Sequence, residues 1–370
     1  MKKILIIHWR PLFQRKIELL QINHLKKKYK IFSLDIEKII FPNLKFKKNF
    51  ASKINTTRIN NVSKFYKFFK NKSFDLIINF TGIKKKNFIY QFILSLKVPI
   101  LTFYEGDISS QSFYPKKFYF FLKNFYFNKI YSKIKKKNYN EFSYLMSHNI
   151  YNYRDIAGTN IIYGKDYILH HANKLKKKSI KNKIVFLDQN WGNNEDYKIY
   201  YSQSFLKKFN LLFYGELISF LKNIEKEYKT KITILLHPMS EKKDWKIYKN
   251  FRTSINKTPS EIKNADLVIG FWSLSLKYAI ILKKKLLILN SKHLKMTKNY
   301  HFAKFIAEWF KNSMPLLISE KFFFKKIEIE SHIISPNSKF DDYKNSFLLT
   351  KKPTHLNFSG VIKKILTHKV

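Results

Sequence analysis

The feature that most constrains this chain is the alternation of short apolar runs with stretches of helical spacing. Ile4–Ile7 is a four-residue apolar run, and Arg15–Tyr29 then sets Ile17, Leu20, Ile22 and Leu25 on one helical face. Ile31–Leu34, Leu76–Phe80 and Pro99–Phe103 read as further strands, with a helix over Asn87–Leu96 between the last two. Strands joined through helices cross over with one hand, so this order predicts a parallel sheet covered on both faces. The pattern restarts after the charged stretch Lys174–Lys183 (KLKKKSIKNK). Strands follow at Ile184–Leu187, Ile232–Leu236, Leu267–Gly270 and Leu286–Leu289, with helices over Tyr214–Tyr228, Pro259–Asn264 and Leu274–Lys283. The expected fold is α/β: two doubly wound, Rossmann-like domains over 1–173 and 184–350 facing a central cleft, with a closing C-terminal helix in 351–370 (Asn357–Lys369).

Composition supports two packed cores. In 370 residues, 45% hydrophobic and 17% aromatic side chains exclude a wholly disordered chain. Cysteine is absent, which removes disulfides and Cys-ligated metal centres from consideration. No apolar run approaches the roughly 20 residues that span a bilayer, and Met1-Lys2-Lys3 leads directly into the first strand. A cytoplasmic protein is expected, reaching at most the inner face of the plasma membrane.

Lys and Arg total 72 against 25 acids, a net charge of +47, yet only five of the basic residues are arginine. A nucleic-acid reader leans on the planar arginine fork, so nucleic acid is not expected as a partner. Lysine here accompanies abundant Asn, Ile, Phe and Tyr, the residues of AT-rich codons. The excess still attracts anionic surfaces, phospholipid headgroups included. Phe113–Lys137 interleaves aromatics with lysines. It reads as a peripheral helix on an anionic membrane or as a core helix and strand with solvated lysines; base stacking on single strands uses the same residue types.

Candidate chemistry concentrates at strand ends. The strand Ile232–Leu236 ends in His237-Pro238, and Leu267–Gly270 ends in Phe271-Trp272-Ser273-Leu274-Ser275 before a helix. Parallel strands bring both ends to one edge, where Ser273 is a natural N-cap and the helix behind it favours a phosphate. His237 supplies a proton or a cation to a departing phosphate. Pro99–Phe103 ends in Tyr104-Glu105-Gly106-Asp107, two carboxylates that could act as a general base or serve as turn formers and helix caps; no neighbouring ligands complete a metal site. Asp188 ends the strand Ile184–Leu187, where capping is the plainer role, and Gly82 follows Leu76–Phe80 as a turn or a close approach to acceptor. His8 ends the first strand and reads as a satisfied structural side chain, and His170-His171 lack metal-ligand partners.

The stretch from Ile232 to Leu289 (ITILLHPMS…KTPSEIKNADLVIGFWSLSLKYAIILKKKLLIL) resembles the donor-binding half of GT-B glycosyltransferases. It is most similar to the cytidine-nucleotide group of bacterial sialyltransferases, capsule Kdo transferases and glycerol-phosphate polymerases. The resemblance implies that His237, Pro238, Ser273 and Ser275, with Trp272 beside them, contact the donor phosphate. It also implies that Thr258 and Pro259 flank the nucleobase. The glutamate that many UDP- or GDP-sugar enzymes carry in the following helix is replaced here by Leu276-Lys277-Tyr278-Ala279, which favours a CMP- or CDP-type donor. Some sialyltransferase relatives take their base from the loop that holds Asp188, so Asp188 competes with Glu105 and Asp107 for that role. The implied activity is sugar transfer from a nucleotide sugar to a surface glycan or lipid-linked acceptor, with no cofactor and no metal, the first domain lying on the acceptor side. A sugar-nucleotide epimerase and an inactive nucleotide- or glycan-binding relative share the same layout.

Overall fold

The computed structural model describes residues 1–9, 12, 17–18, 20–42, 54, 56–81, 88–103, 143–147, 160–163, 167–175, 180–193, 197, 201–238, 240–295, 298–311, 314–321, 323–345 and 356–367. The described residues up to 163, together with those from 356 onward, form one compact unit, and 167–345 form a second.

Seven strands build the first unit: β1 (Lys3–His8), β2 (Lys30–Asp35), β3 (Thr56–Arg58), β4 (Leu76–Asn79), β5 (Ile100–Phe103), β6 (Ser143–Ser147) and β7 (Asn160–Tyr163). All pair in parallel, in the order β3-β2-β1-β4-β5-β6-β7. The second unit carries β8 (Ile184–Leu187), β9 (Ile232–Leu236), β10 (Arg252–Ile255), β11 (Leu267–Gly270), β12 (Lys285–Asn290) and β13 (Leu316–Leu317). These are also parallel, ordered β10-β9-β8-β11-β12-β13. Both sheets therefore grow outward from their first strand and then reverse, which is the doubly wound arrangement. The reversal lies between β1 and β4 in one sheet and between β8 and β11 in the other.

The helices are α1 (Ile22–Leu25), α2 (Glu37–Ile40), α3 (Val62–Lys70) and α4 (Phe88–Ser95) in the first unit. In the second they are α5 (Tyr167–Lys174), α6 (Gln203–Tyr228), α7 (Lys242–Trp245), α8 (Thr258–Asn264), α9 (Leu276–Ile281), α10 (Lys298–Lys311), α11 (Lys326–His332) and α12 (Ser338–Tyr343); α13 (Phe358–Thr367) returns to the first. Among the described residues no helix is long and apolar enough to cross a membrane.

Side-chain alternation along each central strand feeds two cores. In β1, Ile4 and Ile6 pack with α13, whereas Leu5 and Ile7 pack on the other face with Phe65, Phe69 and the aliphatics of α4. In β8, Ile184 and Phe186 meet the long helix α6, and Val185 and Leu187 meet α9 and α10. Gly270 in β11 suits this closeness, since a Cβ there would lie 3.3 Å from Leu187 Cβ, a tight contact.

Three sequence expectations change. Residues 15–29 do not form one described helix: Gln21 adopts a left-handed conformation (φ 48°) and α1 covers only Ile22–Leu25. The lysine run 174–183 does not separate the units, because α5 before it belongs to the second. Ile168, Leu169 and Ala172 sit in that unit's core with Val185 and Ala279, and His171 Nδ1 lies 3.0 Å from Tyr278 Oη. The helix within 351–370 is an integral part of the first unit: Phe358, Val361, Ile362 and Ile365 are buried beneath β1, β4 and β5. Lys2 Nζ donates to Leu366 O at 2.6 Å, and Ser359 N donates to Gln21 Oε1 at 3.0 Å.

Truncating this returning helix tests its place. Ile362→Ala empties a fully buried position and is expected to cost the first unit about 3 kcal/mol. Hydrogen exchange will read that as faster exchange in β1 and β4 with unchanged protection in β8 and β11.

Candidate functional site

Outside the carboxyl ends of a doubly wound sheet, the crossovers leave in opposite directions at the reversal and open a crevice. In the second unit that point lies between β8 and β11. Asp188 follows β8, His237 follows β9, and Phe271-Trp272-Ser273 follows β11. The register aligns Leu187 with both Leu235 and Gly270, so these three exits share one level of the sheet. β9 and β11 flank β8, which sets their ends about 10 Å apart at the usual strand spacing.

Asp188 occupies the middle and is buried, 7% exposed. Its Oδ1 accepts from Tyr248 Oη at 2.9 Å and from Asn190 N at 3.0 Å; its Oδ2 receives His237 N at 3.4 Å. Desolvation pushes its carboxyl above the ordinary carboxylate range, against the lowering effect of these donors, and Asp244 adds to the rise. The Tyr248 phenol is driven well above its usual value by burial first and by Asp188 second. Asp244 caps its own helix, its Oδ2 accepting from Glu241 N at 2.8 Å, and also receives Asn190 Nδ2 at 3.3 Å. Asp188 thus ties the ends of β8 and β9 to the Lys246–Tyr248 turn.

His237 is half-buried at the edge and Pro238 is exposed. The His237 carbonyl accepts from Ser240 N (2.9 Å) and Ser240 Oγ (2.7 Å), which closes the turn; Trp245 Nε1 donates to the same Oγ at 3.0 Å. Beyond β11, Ser273 Oγ accepts from Ser275 N at 3.2 Å, and Ser273 O receives Leu276 N at 3.0 Å. Ser273 therefore caps the turn that leads into α9, whereas Ser275 holds the N-cap position without a side-chain cap. Both serines are half-buried. The His237 turn and the Ser273–Ser275 turn follow the strands on either side of β8, which Asp188 ends.

Thr258 and Pro259 open α8 after β10, with proline in the first turn where its missing N–H costs nothing. Ile255 is in register with Leu236, so this helix start stands one strand outward from His237 and about 14 Å from the end of β11. Trp272 is placed differently from its expected position beside the donor: it is 9% exposed, within the hydrophobic core, with its ring 5.6 Å from Phe302. Glu105, Asp107, Gly82 and the stretch Phe113–Lys137 lie outside the described residues.

Sequence reasoning missed the partners of Asp188, because Asn190, Asp244 and Tyr248 converge only through β8, α7 and the turn after it. The reading of His8 as a satisfied structural side chain agrees with its surroundings. His8 ends β1 beside β4 at the first sheet's reversal, buried, with Nε2 2.8 Å from Ser33 Oγ. Next to it, Asn79 Oδ1 accepts from Thr81 N (3.2 Å) and Thr81 Oγ1 (2.6 Å), while Trp9 Nε1 donates to Thr81 O (2.7 Å). A strand-order argument from the β1 and β4 patterns was the signal available for finding this second polar edge. Among the described residues no group of three or more His, Asp or Glu side chains converges as metal ligands do.

No family model matches the sequence, and no curated protein matches it. Solved structures align along nearly the whole chain. MurG from Acinetobacter baumannii is 10% identical, covering 99% of both chains with a TM-score of 0.45. The wall teichoic acid polymerase TagF is 12% identical, covering 98% of this chain and 88% of its own, at 0.49. UDP-GlcNAc 2-epimerase from Methanocaldococcus jannaschii is 14% identical, covering 99% of both, at 0.42.

The raised carboxyl of Asp188 fixes a direction of pH dependence. In the interval between the ordinary carboxylate value, near 4, and the raised native one, the folded state holds a proton that the unfolded chain has released, so stability falls as pH rises. Asp188→Asn keeps an oxygen for Tyr248 and removes the titration. Denaturation midpoints of this variant are expected to lack the decline that the parent protein shows across that interval.

Proposed function

We propose that this chain is a glycosyltransferase whose second unit binds a nucleotide sugar, of cytidine type, at the carboxyl edge of its sheet. The reading is carried by one observation: an imidazole-bearing turn and a pair of half-buried hydroxyls flank the reversal point of a doubly wound sheet. The resemblance over residues 232–289 supports the same assignment. The absence of a ribose-gripping acid in Leu276–Ile281 supports cytidine over uridine.

In this reaction the acceptor oxygen attacks the anomeric carbon while the bond from that carbon to the donor phosphate breaks. The electron pair of that bond remains on the phosphate, which gains negative charge as it leaves. Ser273 and Ser275 hydroxyls donate to the phosphate oxygens, and His237 donates to the oxygen on which charge develops, where preorganised donors act most strongly. Asp188 serves as a positioning residue through the His237 backbone, its own oxygens already taken by donors. The acceptor proton passes to a carboxylate, assigned to Glu105 or Asp107. The acceptor is a glycan or lipid-linked hydroxyl of the cell surface.

A thermal-shift panel of CMP, CDP, UDP and GDP tests the donor class: a cytidine nucleotide is expected to raise the melting temperature and the others to do so less. His237→Ala is expected to lower nucleotide release by about 100-fold while retaining the shift with CMP. Ser273→Ala with Ser275→Ala is expected to weaken CMP by roughly 100-fold, the worth of two charge-assisted hydrogen bonds at about 1.5 kcal/mol each. Undiminished turnover in the histidine variant removes the proposed site.

A further inference from the structure

Helix α6 is longer than its sheet requires. Its 26 residues extend about 39 Å, against roughly 15 Å for the four- and five-residue strands it covers. The excess falls at one end. Glu216 marks the carboxyl edge: its Oε1 lies 2.9 Å from His293 Nε2 and its Oε2 receives Ser291 Oγ at 3.3 Å, both partners just beyond β12. At the other end Glu225 Oε1 accepts from Ile232 N at 2.9 Å, where β9 begins. Residues 203–215 therefore project past the sheet's edge by about 20 Å.

The inner side of this projection is filled. Rings of Tyr197, Tyr201, Phe205, Phe209 and Phe213 follow one another at 4.9–6.3 Å, Trp191 packs on Tyr197 and Phe213, and Tyr214 Oη donates to Trp191 O at 3.0 Å. Gly192 (φ 68°) closes the turn beneath, where a Cβ would overlap the Asn210 carboxamide. The outer side is open and apolar. Leu211 is 77% exposed and Leu212 43%, and Phe205, at the rim of the ring stack, is 37% exposed; they are three of the eight large exposed hydrophobic residues among those described, gathered within eight positions. Exposed Lys207 and Lys208 share the face at helical spacing, and residues 203–215 contain no acid. A cavity of about 420 Å³ against this projection is lined by Lys207, Lys243 and Asp244 among others, so it adds only one net positive charge.

We infer that the outer face of residues 203–215 docks on an anionic phospholipid surface, with Leu211 and Leu212 entering the headgroup layer, Phe205 at the margin of the contact and Lys207 and Lys208 against its charge. Charge complementarity selects this occupant. A peptide groove would not need the cations, and the chain's +47 excess repels a second copy of itself. The inference stands independently of the glycosyltransferase reading, since it uses none of the residues assigned to the donor.

The test is co-sedimentation of the full chain with vesicles of phosphatidylglycerol and phosphatidylethanolamine, compared with phosphatidylcholine alone. Net positive charge by itself gives some binding, so the apolar residues decide. Leu211→Ser with Leu212→Ser, both exposed, is expected to weaken partitioning into the anionic vesicles at least fivefold with an unchanged melting temperature. Because the chain has no cysteine, Ser204→Cys accepts a single polarity-sensitive dye. Its emission is expected to shift blue with anionic vesicles, whereas a dye at Lys363→Cys on α13 is expected to stay unchanged. Equal partitioning of the leucine variant, or an unshifted dye at 204, overturns the proposal. Conversion of a dimer to a monomer by the leucine variant also overturns it, in favour of self-association.

Discussion

A single carboxylate without solvent holds the working edge of the second unit together. Asp188 receives a phenol, a loop amide and the amide of His237, drawing donors from three chain segments onto two oxygens. Removing such a group from water is costly unless its lone pairs are occupied, and here they are. The turns after β8 and β9 and the turn at Tyr248 are therefore joined through one carboxyl group. Ser273 and Ser275 stand outside that network in the turn between the neighbouring strand β11 and α9, half-buried. The edge thus combines a side tied by the Asp188 hydrogen bonds with a side of half-buried hydroxyls.

Burial on both faces made the central strands legible. Ile4–Ile7, Leu76–Asn79, Ile184–Leu187 and Leu267–Gly270 are continuous apolar or nearly apolar runs because both sides meet helices. Edge strands carry no such signature: Thr56–Arg58 and Arg252–Ile255 are polar and partly exposed, and neither reads as a strand. The first half of α6 was missed for a related reason. Leu211 and Leu212 break the helical stripe by adding apolar residues on the outward face, so the periodic signal begins only at Tyr214.

The site was readable as positions but not as orientations. Strand ends gave Asp188, His237 and Ser273, since a parallel sheet brings carboxyl ends to one edge whatever the details. Side-chain direction depends on packing partners distant in sequence. Trp272 turns into the core because Phe302, thirty residues on, presents a ring to it. Tyr248 reaches Asp188 across sixty residues, a pairing that no local pattern announces. The same limit misplaced the unit boundary: the lysines of 174–183 look like a linker, yet the apolar face of α5 just before them is claimed by Val185 and Ala279.

The charge of the chain follows a different logic from its fold. The ion pairs seen are mostly between a partly exposed lysine and a surface acid, such as Lys283–Asp341 or Lys304–Glu308, and contribute little each. With 25 acids for 72 basic residues, pairing leaves most lysines facing solvent, and their mutual repulsion opposes compactness. Two apolar cores on each sheet must outweigh that repulsion, which accounts for the length and aromatic density of α6. Its C-terminal half fills the core between Ile184 and Phe324. Its N-terminal half packs inward through Phe209 and Phe213, the latter 5.5 Å from Phe271 just beyond β11, and leaves Leu211 and Leu212 outward. A helix that extends past its core with leucines outward carries a hydration cost that only burial elsewhere removes. An anionic surface offsets both costs at once, covering the leucines and neutralising the lysines beside them.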